Sequence, residues 1–187
     1  MEAAAPKPGA PTKLIGLALI GAAVSIGLGV YGHVHDPTGS SILGNGLFFS
    51  ATLNMKAWLA TVVVVLALFQ LATALRMYGR LGSGDSPAWL PPAHRISGTL
   101  AFLISLPVVY HCLWALGFQD TTTRVLIHSL AGCFFYGAFT TKMLTLKASA
   151  MPNLAIPVIG GAVFTSLVVI WLTSALWFFD TFGFPQF

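Results

Sequence analysis

Five apolar stretches, at about residues 14–32, 56–78, 95–118, 124–146 and 154–179, are each long enough to cross the hydrocarbon layer of a bilayer. That layer is roughly 30 Å thick and takes about 20 helical residues at a rise of about 1.5 Å each. A soluble fold is excluded, because 56% of the 187 residues are hydrophobic and only 7% are charged, against about 25% charged in a soluble domain. None of the stretches alternates apolar and polar residues as a barrel strand does, so all five read as helices. The expected fold is all-α, an integral membrane bundle of five transmembrane helices. It fills a single domain over 13–187, behind a disordered cytoplasmic tail over 1–12 that is rich in Ala and Pro.

Punctuation separates the stretches: a DPTGSS turn within 36–46, a GSGDSP run and a Pro pair within 82–92, and Met151-Pro152 before the last stretch. The first stretch is longer than the apolar region of a signal peptide and no small-x-small cleavage site follows it before His33, so it reads as a retained helix. The nine cations orient the bundle. Lys7, Lys13, Arg76, Arg80, Arg95, Lys142 and Lys147 fall on the N-terminal side, and Lys56 and Arg124 on the other. Seven against two puts the N-terminus in the cytoplasm and the C-terminus outside, in a multi-pass protein of the plasma (inner) membrane. Cations this sparse make no groove for a polyanion, so a nucleic acid is excluded as partner and the lipid bilayer is the expected one.

Five histidines ask for chemistry: His33, His35, His94, His111 and His128. His111 lies about 10 Å below the end of its helix and His128 about 6 Å below the end of its own, with His33 near the same level. Imidazoles gathered at one depth among apolar residues call for a partner. A histidine at a helix end is ordinarily an interfacial anchor or cap, which is the reading for His35. His94, just after Pro91-Pro92, reads equally well as interfacial. For His111 and His128 a hydrogen bond to a neighbouring helix competes with ligation.

The ligand reading is haem b, since neutral imidazole is an axial ligand of electron-transfer haem and helical bundles hold such ligands on inward faces. A porphyrin also needs small residues beside it. Gly132 follows His128 at i+4, and Gly21, Ser25, Gly29 and His33 form a stripe at i+4 steps, which small-residue helix packing would explain as well. Arg124 at i−4 from His128, and Lys56 at a similar level, are candidate propionate partners if they are more than surface cations. Neighbouring helices about 8–10 Å apart leave no room for a macrocycle face-on between them, so His111 with His128 and His33 with His111 stand as equal candidate pairs. Other chemistries lack their residues: there is no HExxH, no Cys/His cluster at zinc spacing, no carboxylate within a helix core, no CxxCH, no phosphate loop and no dinucleotide fingerprint. Cys112 and Cys133 read as small packing residues, with a disulfide between them as the weaker alternative.

The block HRISGTLAFLISLPVVYHCLWALGF, followed by RVLIHSLAG, resembles the helix pair of small b-type membrane cytochromes, the cytochrome b561 and ferric-reductase-like membrane families. The likeness covers about 40 residues, and the chain as a whole also resembles an uncharacterised five-helix bacterial membrane family. It implies electron transfer by b haem, with His111 and His128 as the matching ligand positions. One haem is expected; a second would have to pair His94 with Met143 or Met77. The His-Arg-Ile-Ser-Gly string is also similar to the quinone-site motif of succinate dehydrogenase membrane anchors, which implies a quinone contact at Ser97, Arg95 and His94. The resulting expectation is a membrane cytochrome taking electrons from quinol, or the membrane subunit of a larger oxidoreductase with a soluble or membrane redox partner. A cofactor-free accessory subunit and a metal or proton transporter are the rivals.

Overall fold

The computed structural model describes residues 10–39 and 48–184. Most of the expected tail and the DPTGSS turn from residue 40 onward lie outside the described residues. Among the described residues the protein is all helical: α1 (Ala10–Val34), α2 (Thr52–Met77), α3 (Leu90–Leu116), α4 (Thr123–Lys147) and α5 (Ala155–Phe182). Four of the five, α1, α2, α3 and α5, are long and apolar enough to cross a membrane. α4 is as long as α1 but dilutes its apolar residues with Arg124, His128, Lys142 and four threonines.

The chain divides into two units. The first holds α1, α4 and α5 as far as Val169; the second holds α2, α3 and the rest of α5. In the first, α1 packs antiparallel on α4, with Gly21 against Gly137 and Gly29 against Cys133. In the second, α2 packs antiparallel on α3, and Ala57 of α2 shares a buried cluster with Ala175 and Phe179 of α5. The indole N–H of Trp171 adds a hydrogen bond to Oγ1 of Thr61 at 3.0 Å.

The burial pattern is inverted relative to a soluble protein. Ile15, Leu19, Ile26 and Val30 of α1 are each more than half exposed, whereas Thr73, Ser97, Thr141, Thr145 and Ser166 are buried. Large apolar side chains turned outward are solvated by lipid tails. The inward faces carry small and hydroxyl residues, because helices in lipid associate by close packing and hydrogen bonds rather than by the hydrophobic effect. These hydroxyls are satisfied locally: Thr145 donates to the carbonyl of Thr141 at 2.7 Å and Ser166 to that of Val163 at 2.9 Å.

Candidate functional site

α3 ends through a break in helical register. Pro107 has no N–H to give and its ring crowds the preceding turn, and from His111 to Leu116 the helix is wound as a π-helix. Such turns are rare and concentrate at functional positions. Gly117, at φ +70°, ends the helix.

His111 opens that turn. It is 7% exposed, and its Nδ1 is buried without a hydrogen-bond partner among the described residues. Leaving a buried nitrogen unsatisfied costs about 1–3 kcal/mol, which makes Nδ1 of His111 a candidate to meet a group outside the described residues. Lys56, near the start of α2, belongs to the same unit.

The open end of the π-turn is stopped by the segment that follows α1. The Nε2–H of His35 donates to the carbonyl of Trp114 at 3.1 Å, and the His35 and Trp114 rings lie 4.6 Å apart. The amide of Thr38 also points at that carbonyl, at 3.5 Å, and the amide of Gly39 donates to the carbonyl of Ala115 at 3.0 Å. Gly39 adopts φ +67° there, a conformation that suits glycine. The interfacial or cap reading of His35 thus has a concrete form: it caps α3.

His94 and Ser97 sit at the opposite end of α3, in a polar clasp with α2. The amide of Gln70 donates to Oγ of Ser97 at 2.6 Å and to the carbonyl of His94. Thr73 gives its own proton to the carbonyl of Phe69 at 2.8 Å, so its oxygen accepts from Nδ1–H of His94 at 2.7 Å. Arg95 is exposed. Sequence reasoning missed Gln70 and Thr73. The signal was an amide and a hydroxyl at i and i+3, on one face of an otherwise apolar helix.

In the first unit, the α1 stripe meets α4. Gly29 faces Cys133, so one turn further along, His33 comes level with Ser129, beside His128 in sequence. The amide of Phe118 donates to the carbonyl of Gly32 at 2.7 Å, and Oγ of Ser129 donates to the carbonyl of Gln119 at 2.8 Å. His33 is exposed and His128 and Arg124 are half-buried. A β-carbon on Gly132, one turn beyond His128, would meet nothing within 4 Å, so the helix is open there. His33, His128, Arg124, Gly29 and Gly132 therefore belong to the first unit, and His111, His94, Ser97, Arg95 and Lys56 to the second.

No three His, Cys, Asp or Glu side chains gather as a metal cage among the described residues. A metal held here must bring most of its own donors. A porphyrin brings four nitrogens of its own and would ask of the chain an imidazole nitrogen such as the buried Nδ1 of His111.

Fold and site together define a helical membrane protein with a buried, unsatisfied imidazole in one span. The chain belongs to the DUF6529 family, a family of unknown function, whose pattern matches residues 14–186. Neither the curated proteins nor the solved structures include a match to it.

Proposed function

We propose that the protein is a b-type cytochrome of the plasma membrane that passes electrons from a quinol to an acceptor outside, alone or as the membrane subunit of a larger oxidoreductase. The single observation that carries this reading is His111, a buried imidazole with an unsatisfied ring nitrogen, set at the start of a π-turn inside an apolar span. In this reading α4 supplies the fifth span, the N-terminus is cytoplasmic, and the site lies toward the outer leaflet, in keeping with the seven cations on the inner side against two on the outer.

The residues divide the work by chemistry. His111, His128 and His33 are the imidazoles that would offer a neutral nitrogen to a haem iron. Arg124 and Lys56 are the cations that would offer charge to the carboxylates of haem propionates. Gly132 and Gly29 keep β-carbons out of the way of a flat ring. Haem, when bound, accepts and gives up one electron at a time. The burial of His111 keeps water from it, and His94, Ser97 and Arg95 form the inner-side quinone contact.

A second reading, a cofactor-free accessory subunit, is favoured by one fact: His35 and His94 are both engaged in hydrogen bonds to the protein. Colour separates the two. The detergent-purified protein, expressed with ample haem supply, is expected to show a sharp b-type α-band in the dithionite-reduced minus oxidised spectrum. Its pyridine haemochrome is expected to give about one haem per chain. Absence of haem absorbance overturns the cytochrome reading in favour of the accessory subunit.

A further inference from the structure

We infer that His35 is a positioning residue for His111, acting by clamping the π-helical turn that His111 opens. The consequence for a bound haem rests on the cytochrome reading; the clamp itself rests on the hydrogen bonds alone.

A helix end leaves its last carbonyls without partners, and a π-turn bonds each N–H to a carbonyl five residues back. The carbonyls of Trp114 and Ala115 therefore have no donor further along the helix, since Gly117 breaks it at φ +70°. Both are claimed by the segment after α1. His35 and Thr38 reach the first and Gly39 the second. A carbonyl oxygen only accepts, so Nε2 of His35 carries the proton. The ring also lies against Trp114 at 4.6 Å, and Trp114 in turn stacks on Tyr110 at 6.3 Å, the residue immediately before His111.

The clamp has a mechanical purpose. A π-turn is less stable than the α-helix it interrupts, and relaxation of residues 111–116 to α-helical winding would rotate this stretch of the helix about its axis. His111 would then present its ring in another direction. A clamp on Trp114 and Ala115 holds the winding, and hence the direction of the imidazole, from outside the helix. His35 touches neither a ligand nor an electron path in this account and acts only through the turn.

The test uses the full chain in detergent, as wild type, His35→Phe and His35→Gln. Phenylalanine keeps a ring against Trp114 and removes the donor; the glutamine amide places a donor where Nε2 stood. Hydrogen exchange of the peptide covering residues 110–118 is expected to quicken about fivefold in His35→Phe and to return to the wild-type rate in His35→Gln. In the same samples, reduced His35→Phe is expected to bind carbon monoxide, as a loosened ligand permits, while wild type and His35→Gln do not. Unchanged exchange in His35→Phe overturns the clamp. Quickened exchange with an unchanged spectrum and no carbon monoxide binding overturns the positioning role. Should wild type hold no haem, the cytochrome reading and the positioning of its ligand both fall, while the exchange arm still decides the clamp. If His35→Phe does not fold, His35→Asn, whose amide is too short to reach the carbonyl, carries the same comparison.

Discussion

A β-carbon built on Gly21 would stand 2.5 Å from the backbone carbonyl oxygen of Gly137. That oxygen belongs to a helix backbone and has no rotamer in which to retreat. Gly21→Ala and Gly137→Ala must therefore push α1 and α4 apart, at a cost of about 1–3 kcal/mol for an overpacked contact. Gly29→Ala is the control on the same stripe, because its β-carbon would meet Cys133 Sγ at 3.8 Å, an ordinary contact. Thermal unfolding in detergent is expected to show a Tm several degrees lower for the first two variants and unchanged for the third. Equal behaviour of all three would mean that α1 and α4 do not meet at Gly21.

Arg76 organises the turn between α2 and α3. Its guanidinium donates to the carbonyls of Ser83 and Asp85 at 2.9 Å each, Gly84 at 3.1 Å and Leu81 at 3.3 Å. A planar fork of five donors can satisfy four acceptors spread around it; an ammonium has three donors on one point. Limited proteolysis within residues 81–85 is expected to accelerate in Arg76→Ala, by about tenfold or more, and nearly as much in Arg76→Lys despite the retained charge. Full protection in Arg76→Lys would show that charge, not the fork, orders the turn.

The five helices were legible in the sequence, with boundaries within about five residues of those observed, and four of them have the length and apolar composition that a bilayer demands. The largest miss is the start of α3, at Leu90 rather than residue 95. Pro91 and Pro92 read as loop punctuation, yet proline fits the first turn of a helix, whose N–H groups have no partner inside it. Nor did the sequence reveal the π-turn at His111, whose end carbonyls are met by residues 35–39, far away in sequence. The stripe Gly21, Ser25, Gly29 and His33 was visible as spacing. Its role as the α1 contact face at Gly21 and Ser25 depends on Gly137 and Thr141 meeting it, which spacing in one helix does not disclose.

Gln70 joins α2 to α3 in a place where a quinone contact is also proposed. A β-carbon on Gly98 would come within 3.0 Å of Oε1 of Gln70, so Gly98→Ala displaces the amide that serves Ser97. Interhelical hydrogen bonds in membranes average only about 0.6 kcal/mol, so Gln70→Leu and Gly98→Ala should lower stability slightly and less than additively when combined. A quinone role asks for more than stability. Ser97→Ala and Arg95→Gln are expected to slow quinol-driven haem reduction several-fold while leaving dithionite reduction unchanged. Quinol reduction at the wild-type rate in both variants would assign Ser97 to the clasp with Gln70 alone.

Two imidazoles of the first unit, His33 and His128, differ in exposure and in the space beside them. His33 and His128 lie toward the same end of the α1 and α4 pair, but His33 is exposed, whereas His128 is half-buried and has Gly132 one turn away with no neighbour within 4 Å of a β-carbon there. In the cytochrome reading a flat ring needs both a shielded ligand and an open glycine face, and of these two histidines His128 is the one with both. Replacing each histidine by alanine in turn should therefore split the set. His111→Ala and His128→Ala are expected to lose haem about tenfold or more in the pyridine haemochrome assay. His33→Ala should keep haem, with the low-spin spectrum of two imidazole ligands. The opposite result, haem retained in His128→Ala and lost in His33→Ala, would move the second ligand to the end of α1. It would also make Gly29, rather than Gly132, the glycine beside the ring.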